Sequence, residues 1–147
     1  MKIHERVTIV GAAALLAAII SSAAGAHGDV APQPVDTTHL PQIGAEWVDE
    51  NPYRDNEAAV TTGASAYNQN CARCHGLGAV SGGIAPDLRE LPDDLEGDEW
   101  YAYRVRNGAI RNGITYMPVF AESDGGPLSQ EALWAIRAWL VTLDGAE

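Results

Sequence analysis

Cys71 and Cys74 are the only two cysteines in 147 residues, and His75 follows directly behind the second. A disulfide across so short a gap would close a tiny loop and add little stability, so the pair serves chemistry rather than stapling. A thioredoxin-type pair needs a βαβ setting, and the hydrophobic pattern offers none. Half a zinc site needs two further thiols or imidazoles; beyond residue 26 only His27 and His39 accompany His75. What remains is attachment of a c-type haem. On one helical turn, sulfurs three residues apart reach two vinyl groups from the same side, and the next histidine lies under the ring as an iron ligand.

A sixth iron ligand follows by elimination. After Met1, Met117 is the only methionine, and Pro118 follows it on a loop expected between helices. His39 and His27 are the alternatives, and an open iron site, suited to an enzyme or sensor, is the third. A thioether opposite imidazole favours ferrous iron, raises the potential and fills both axial positions. That arrangement moves an electron rather than breaking bonds. The two carboxylates of a haem also need donors. No lysine follows Lys2, so Arg104, Arg106 and Arg111 are the candidates for a bidentate grip on the propionates.

The rest of the chain divides by composition. Lys2 and Arg6 flank the start of an apolar run at 7–20, and Ala24-Gly25-Ala26 offers a small-residue cleavage site. Residues 1–26 therefore read as a cleaved secretory signal, which implies the periplasm. The run is shorter than the roughly 18–20 residues that span a bilayer, so no stable membrane anchor is expected. With 9 basic against 20 acidic residues, the formal net charge is −11. Such a chain does not seek nucleic acid or an anionic membrane. Pro32, Pro34, Pro41 and Pro52 forbid a long helix in 27–55, which predicts an extended arm pinned by Trp47 and Tyr53.

Residues 56–147 form the expected domain. Asn56 caps a helix that runs into Cys71, Asp98 caps a second that Gly108 closes, and Ser129 caps a third. Leu133, Ile136, Leu140 and Leu143 line one face of that last helix, beside Trp139. No strand pattern is evident. The expected class is a small all-α fold.

Gly63-x-x-x-Tyr67, CARCHG, Pro86-x-Leu88, Met117-Pro118 and the aromatic terminal helix resemble the class I cytochromes c over 56–144. The resemblance implies three to five helices around one covalently bound haem. It also implies that Pro86 accepts a hydrogen bond from His75, that Gly63 lets the first and last helices cross closely, and that Tyr67 lies near Trp139. The segments HGDVAPQPVD, GASAYNQNCARCHGL, VRNGAIRNGITYMP and LSQEALWAIRAWL are similar, more narrowly, to periplasmic cytochromes c that receive electrons from quinoprotein ethanol dehydrogenases. This likeness implies a periplasmic quinoprotein alcohol dehydrogenase, using pyrroloquinoline quinone, as donor. A downstream cytochrome or terminal oxidase would be the acceptor. A general periplasmic carrier serving another dehydrogenase or oxidase is the alternative. Val80, Ile84, Ala85 and 117–119 are the expected neutral contact rim around an exposed haem edge.

Overall fold

The computed structural model describes residues 32–143; the expected signal at 1–26, and His27 with the start of the arm, lie outside them. Asn56 opens helix α1 (Glu57–Asn70), its side-chain oxygen accepting the Ala59 N–H at 3.0 Å. That bond satisfies one of the donors a helix start leaves bare. One further turn, α2 (Ala72–His75), carries the attachment motif. Helices α3 (Leu95–Asn107) and α4 (Gln130–Val141) complete the helical set, and the Ser129 hydroxyl accepts the Ala132 N–H to cap α4.

Two expectations need correction. The second long helix starts a turn earlier than expected, at Leu95, and its cap is Asp94, which accepts the Gly97 N–H at 2.9 Å. Asp98 lies inside that helix, fully buried. Gly97, a poor helix former, sits in the first turn because a Cβ there would fall 2.0 Å from the Pro92 carbonyl oxygen. The chain is also not purely helical. Strands β1 (Ala109–Arg111) and β2 (Ile114–Met117) pair antiparallel around Asn112-Gly113. Both turn residues have positive φ, 52° and 76°, the backbone of a tight two-residue hairpin. The fold is mostly helical, with this one small sheet among the described residues.

The core forms where α1 crosses α4. Gly63 makes the crossing close: a Cβ at that position would lie 1.9 Å from the Ala135 carbonyl oxygen. Further along the same contact, the Tyr67 and Trp139 rings meet at a tilt of 42°, with centroids 4.6 Å apart. Every residue of α4 from Glu131 to Ala138 is buried, so this helix is the centre of the molecule rather than one of its sides.

The arm is part of that body. Tyr53 is buried and its hydroxyl donates to the Pro41 carbonyl; Trp47 packs on Trp134 at 5.6 Å. The Ile43 N–H donates to Glu131 and the Val48 N–H to Gln130, both in the first turn of α4. Asp98 binds arm and helices together, accepting from the Asn51 N–H at 2.9 Å, Arg54 at 2.7 Å and Arg137 Nε at 2.7 Å. No described helix is long and apolar enough to cross a membrane.

Candidate haem-binding site

The helix start at Asn56 sets the phase that delivers Cys71, Cys74 and His75 at the end of α1 and through α2. Hydrogen bonds from the Cys74 and His75 N–H groups to the Cys71 carbonyl, at 3.1 and 3.0 Å, hold the motif on one turn. Cys71 is partly buried and Cys74 exposed; neither forms a disulfide. Burial, with the Cys74 sulfur beside it, pushes the Cys71 thiol up to about 12. A thiol so far above neutrality is a poor redox nucleophile, which works against thioredoxin-type chemistry. It suits a sulfur that ends as a neutral thioether. Among the described residues, no cluster of three or more His, Cys, Asp or Glu side chains is disposed to hold a metal ion.

His75 is oriented by the chain itself. Its Nδ1–H donates to the Pro86 carbonyl at 2.9 Å, so the proton sits on Nδ1 and the Nε2 lone pair is free to face a metal. Two contacts fix the loop that supplies this acceptor. The Tyr67 hydroxyl donates to the Gly76 carbonyl at 2.8 Å, and Asp87 accepts the Ser81 N–H at 3.1 Å. The Arg89 guanidinium, foremost, and that Ser81 N–H hold the Asp87 carboxyl well below the usual carboxylate range. Gly76 must be glycine, with φ at 83° and a Cβ position 1.9 Å from the Val80 carbonyl oxygen.

Met117 closes β2, partly buried. The hairpin register steps from Ala109 opposite Met117 to Ile110 opposite Thr115. Tyr116 is therefore the extra residue of a bulge, a device that re-aims the neighbouring side chain. Gly108 backs the strand, since a Cβ there would fall 2.4 Å from the Met117 carbonyl oxygen. His39 is occupied elsewhere: its Nε2 lies 2.8 Å from the Thr62 hydroxyl, in the half of α1 remote from Cys71.

The three candidate arginines take different places. Arg106 pairs with Asp124 at 2.9 Å and lies over the Trp47 ring. Arg104 lies over Trp100 and Tyr103, each at 5.5 Å, and donates weakly to the Gly108 carbonyl at 3.4 Å. Arg111 is exposed on β1, 5.8 Å from the Tyr116 ring. Arg104 and Arg111 thus form no ion pair within the described chain. Solvent-facing apolar side chains gather on the two segments that carry the axial candidates. Leu77, Val80 and Ile84 follow His75, and Ile110, Ile114 and Tyr116 precede Met117. A neutral sulfur pair, a free imidazole nitrogen, a thioether and these apolar side chains are a donor set and a lining that fit a haem.

The comparisons agree. The family model for cytochrome c oxidase, cbb3-type, subunit III matches residues 58–140. Cytochrome c550 of Pseudomonas aeruginosa is 60% identical over 125 residues, covering 82% of this chain and 83% of that one. A quinohemoprotein alcohol dehydrogenase of Pseudomonas putida, ADH-IIG, is 36% identical over 69 residues, 47% of this chain but 9% of the dehydrogenase. The cbb3-type oxidase subunit FixP of Rhizobium meliloti is 32% identical over 117 residues, 74% of this chain and 39% of that subunit. No solved structure matches. The chain belongs to the cytochrome c family. It is an electron carrier and not an enzyme, and its cofactor is the family's covalently bound haem c.

Proposed function

We propose that the chain is exported by residues 1–26 and shuttles single electrons in the periplasm, from a quinoprotein alcohol dehydrogenase towards a terminal oxidase. When bound, haem c supplies the one-electron couple. Cys71 and Cys74 would hold it through thioethers, His75 and Met117 would ligate its iron, and Arg104 would neutralise a propionate. The observation that carries this reading is the His75 Nδ1–Pro86 contact at 2.9 Å. It commits the imidazole to one tautomer and one orientation, so its ligation needs little rearrangement on electron gain or loss. The Met117 hairpin, braced by its bulge and by Gly108, supplies the same rigidity from the other side.

The donor assignment draws on the shared cytochrome segment in the P. putida quinohemoprotein alcohol dehydrogenase, and the acceptor assignment on the one in FixP. The FixP likeness also supports the second reading, a general carrier serving another dehydrogenase or oxidase. Stopped-flow mixing of the ferric protein with a substrate-reduced quinoprotein alcohol dehydrogenase separates the two. Second-order reduction at more than about 10⁵ M⁻¹s⁻¹, the ordinary range for protein encounters, is expected; absence of reduction moves the assignment to the general carrier.

The propionate role of Arg104 has its own test. Removing the positive partner raises a propionate's pKa. Arg104→Gln is therefore expected to move the pH-dependent part of the potential upward in pH, while Arg106→Gln, already paired with Asp124, leaves it in place. Coincident curves for native protein and Arg104→Gln would remove Arg104 from the site.

A further inference from the structure

Pro86 supplies the carbonyl that orients His75, yet the loop around it has little frame of its own. Among the described residues, 81–86 make no backbone–backbone hydrogen bond. The tip is Gly82-Gly83, and these two glycines, Ile84 and Pro86 are all exposed. Backbone groups without a helix or ladder partner have to be held by side chains or water. One residue does most of this. The Ser81 hydroxyl donates to the Ala85 carbonyl at 2.5 Å and accepts the Gly83 N–H at 3.0 Å. The Ser81 N–H donates to the Asp87 carboxylate at 3.1 Å. Ala85 and Asp87 are the two neighbours of Pro86, so Ser81 ties the chain on both sides of it. Asp87 is itself fixed. Its Oδ1 accepts the Arg89 N–H and Nε–H, each at 3.0 Å, and its Oδ2 accepts from Arg89 Nη2 at 2.9 Å.

We propose that Ser81 and Asp87 are positioning residues for electron transfer: together they pin the Pro86 carbonyl on the His75 Nδ1–H and so set the donor strength of the imidazole. The proposal rests on the reading that His75 ligates iron. Proline fixes φ at about −65°, so the direction of the Pro86 carbonyl depends mainly on its ψ and on the peptides to either side. Those peptides are the ones that Ser81 and Asp87 hold. A hydrogen bond given by Nδ1–H makes the opposite ring nitrogen a better donor, which favours ferric iron and lowers the potential. A swaying loop breaks that bond for part of the time. The average donor strength then falls and the potential rises.

Ser81→Ala removes the two hydroxyl bonds without changing any charge, and Asp87→Ala removes the anchor of the Ser81 N–H. Both positions lie outside the crossing of α1 and α4, and far-ultraviolet circular dichroism checks that the fold is kept. In the ferrous haem-bearing protein with isotope-labelled histidine, nuclear magnetic resonance follows exchange of the His75 Nδ1–H with solvent. Exchange is expected to be about tenfold faster in Ser81→Ala, the effect of losing one net hydrogen bond, and the reduction potential to lie above native. Asp87→Ala is expected to move both in the same direction. Ser81→Thr keeps the hydroxyl and the N–H, and is expected to restore native exchange and potential. Asp36→Ala is the control: Asp36 accepts the Thr38 N–H at 3.0 Å in an exposed turn of the arm, the same kind of contact, and its loss is expected to leave both readings native. Native exchange in either alanine variant of the loop, faster exchange with an unchanged potential, or a threonine variant that behaves as alanine does overturns the proposal. So do equal changes in Asp36→Ala. If the His75 ring protons of the native protein lack the large ring-current shift of an axial ligand, the ligand reading fails instead, while the exchange rates still decide whether Ser81 and Asp87 hold Pro86 in place.

Discussion

Asp98→Ala is expected to cost about 3–5 kcal/mol of folding stability, the range for leaving a buried charge without its partner. Asp98 and Arg137 are both fully buried. Removing the carboxylate leaves the Arg137 guanidinium in the core with only the Pro92 carbonyl as acceptor. Two further groups lose their acceptor at the same time, the Asn51 N–H and the inner contact of Arg54. A domain of this size has a total stability of about 5–15 kcal/mol, so the loss is a large fraction of the whole. Asp98→Asn keeps the shape and one of the two acceptor oxygens, but sets an amide N–H against donors on the other side, Arg137 or Asn51 and Arg54; it is expected to fall between native and alanine. Denaturant unfolding of the haem-bearing protein, followed by far-ultraviolet circular dichroism, measures both. A loss below about 1 kcal/mol for alanine would mean that the arm and helices are held by packing alone.

The second large effect is at Met117. Met117→Ala is expected to abolish the weak near-infrared band of sulfur-ligated ferric haem. It should also lower the reduction potential by on the order of 0.1 V, a modest part of the roughly 0.8 V over which axial ligands tune haem proteins. The change is local, because the hairpin is defined by its Asn112-Gly113 turn and by Gly108 rather than by the Met117 side chain. Stability is therefore expected to fall by less than the Asp98 variant loses. An unchanged near-infrared band would give the sixth position to another residue; the described histidine in question, His39, would first have to leave Thr62.

The chain's own residues explain which parts of this picture its sequence discloses. Two thioethers and a neighbouring iron ligand would demand the spacing of Cys71, Cys74 and His75, and so fixed a spacing is legible in any context. Asn56 and Ser129 are legible as caps because capping is a contact of a few residues' range. The start of α3 is not, since Gly97 lowers helix propensity and its reason, the Pro92 carbonyl, lies outside the helix. Asp98 looks like another cap; only the fold shows it facing Arg137, 39 residues away. The hairpin shows no alternating pattern because its strands are short and largely exposed, with no buried side to alternate. Its signal is the Asn-Gly pair between Arg111 and Ile114, which by itself predicts a two-residue turn. The engagement of Arg106 by Asp124 depends on the loop after Met117 folding back, through Phe120 and Ala121 N–H bonds to the Val105 carbonyl. No local pattern reports such a return.

Carbon monoxide separates a closed iron site from an open one, because it binds ferrous haem only where an axial position is open. A carrier whose iron is held by His75 on one side and Met117 on the other has no such position. The reduced native protein at neutral pH is expected to keep its visible spectrum unchanged under carbon monoxide, while reduced Met117→Ala shifts at once. A shift in the native protein would contradict the account, since an iron site open to small ligands belongs to an enzyme or a sensor.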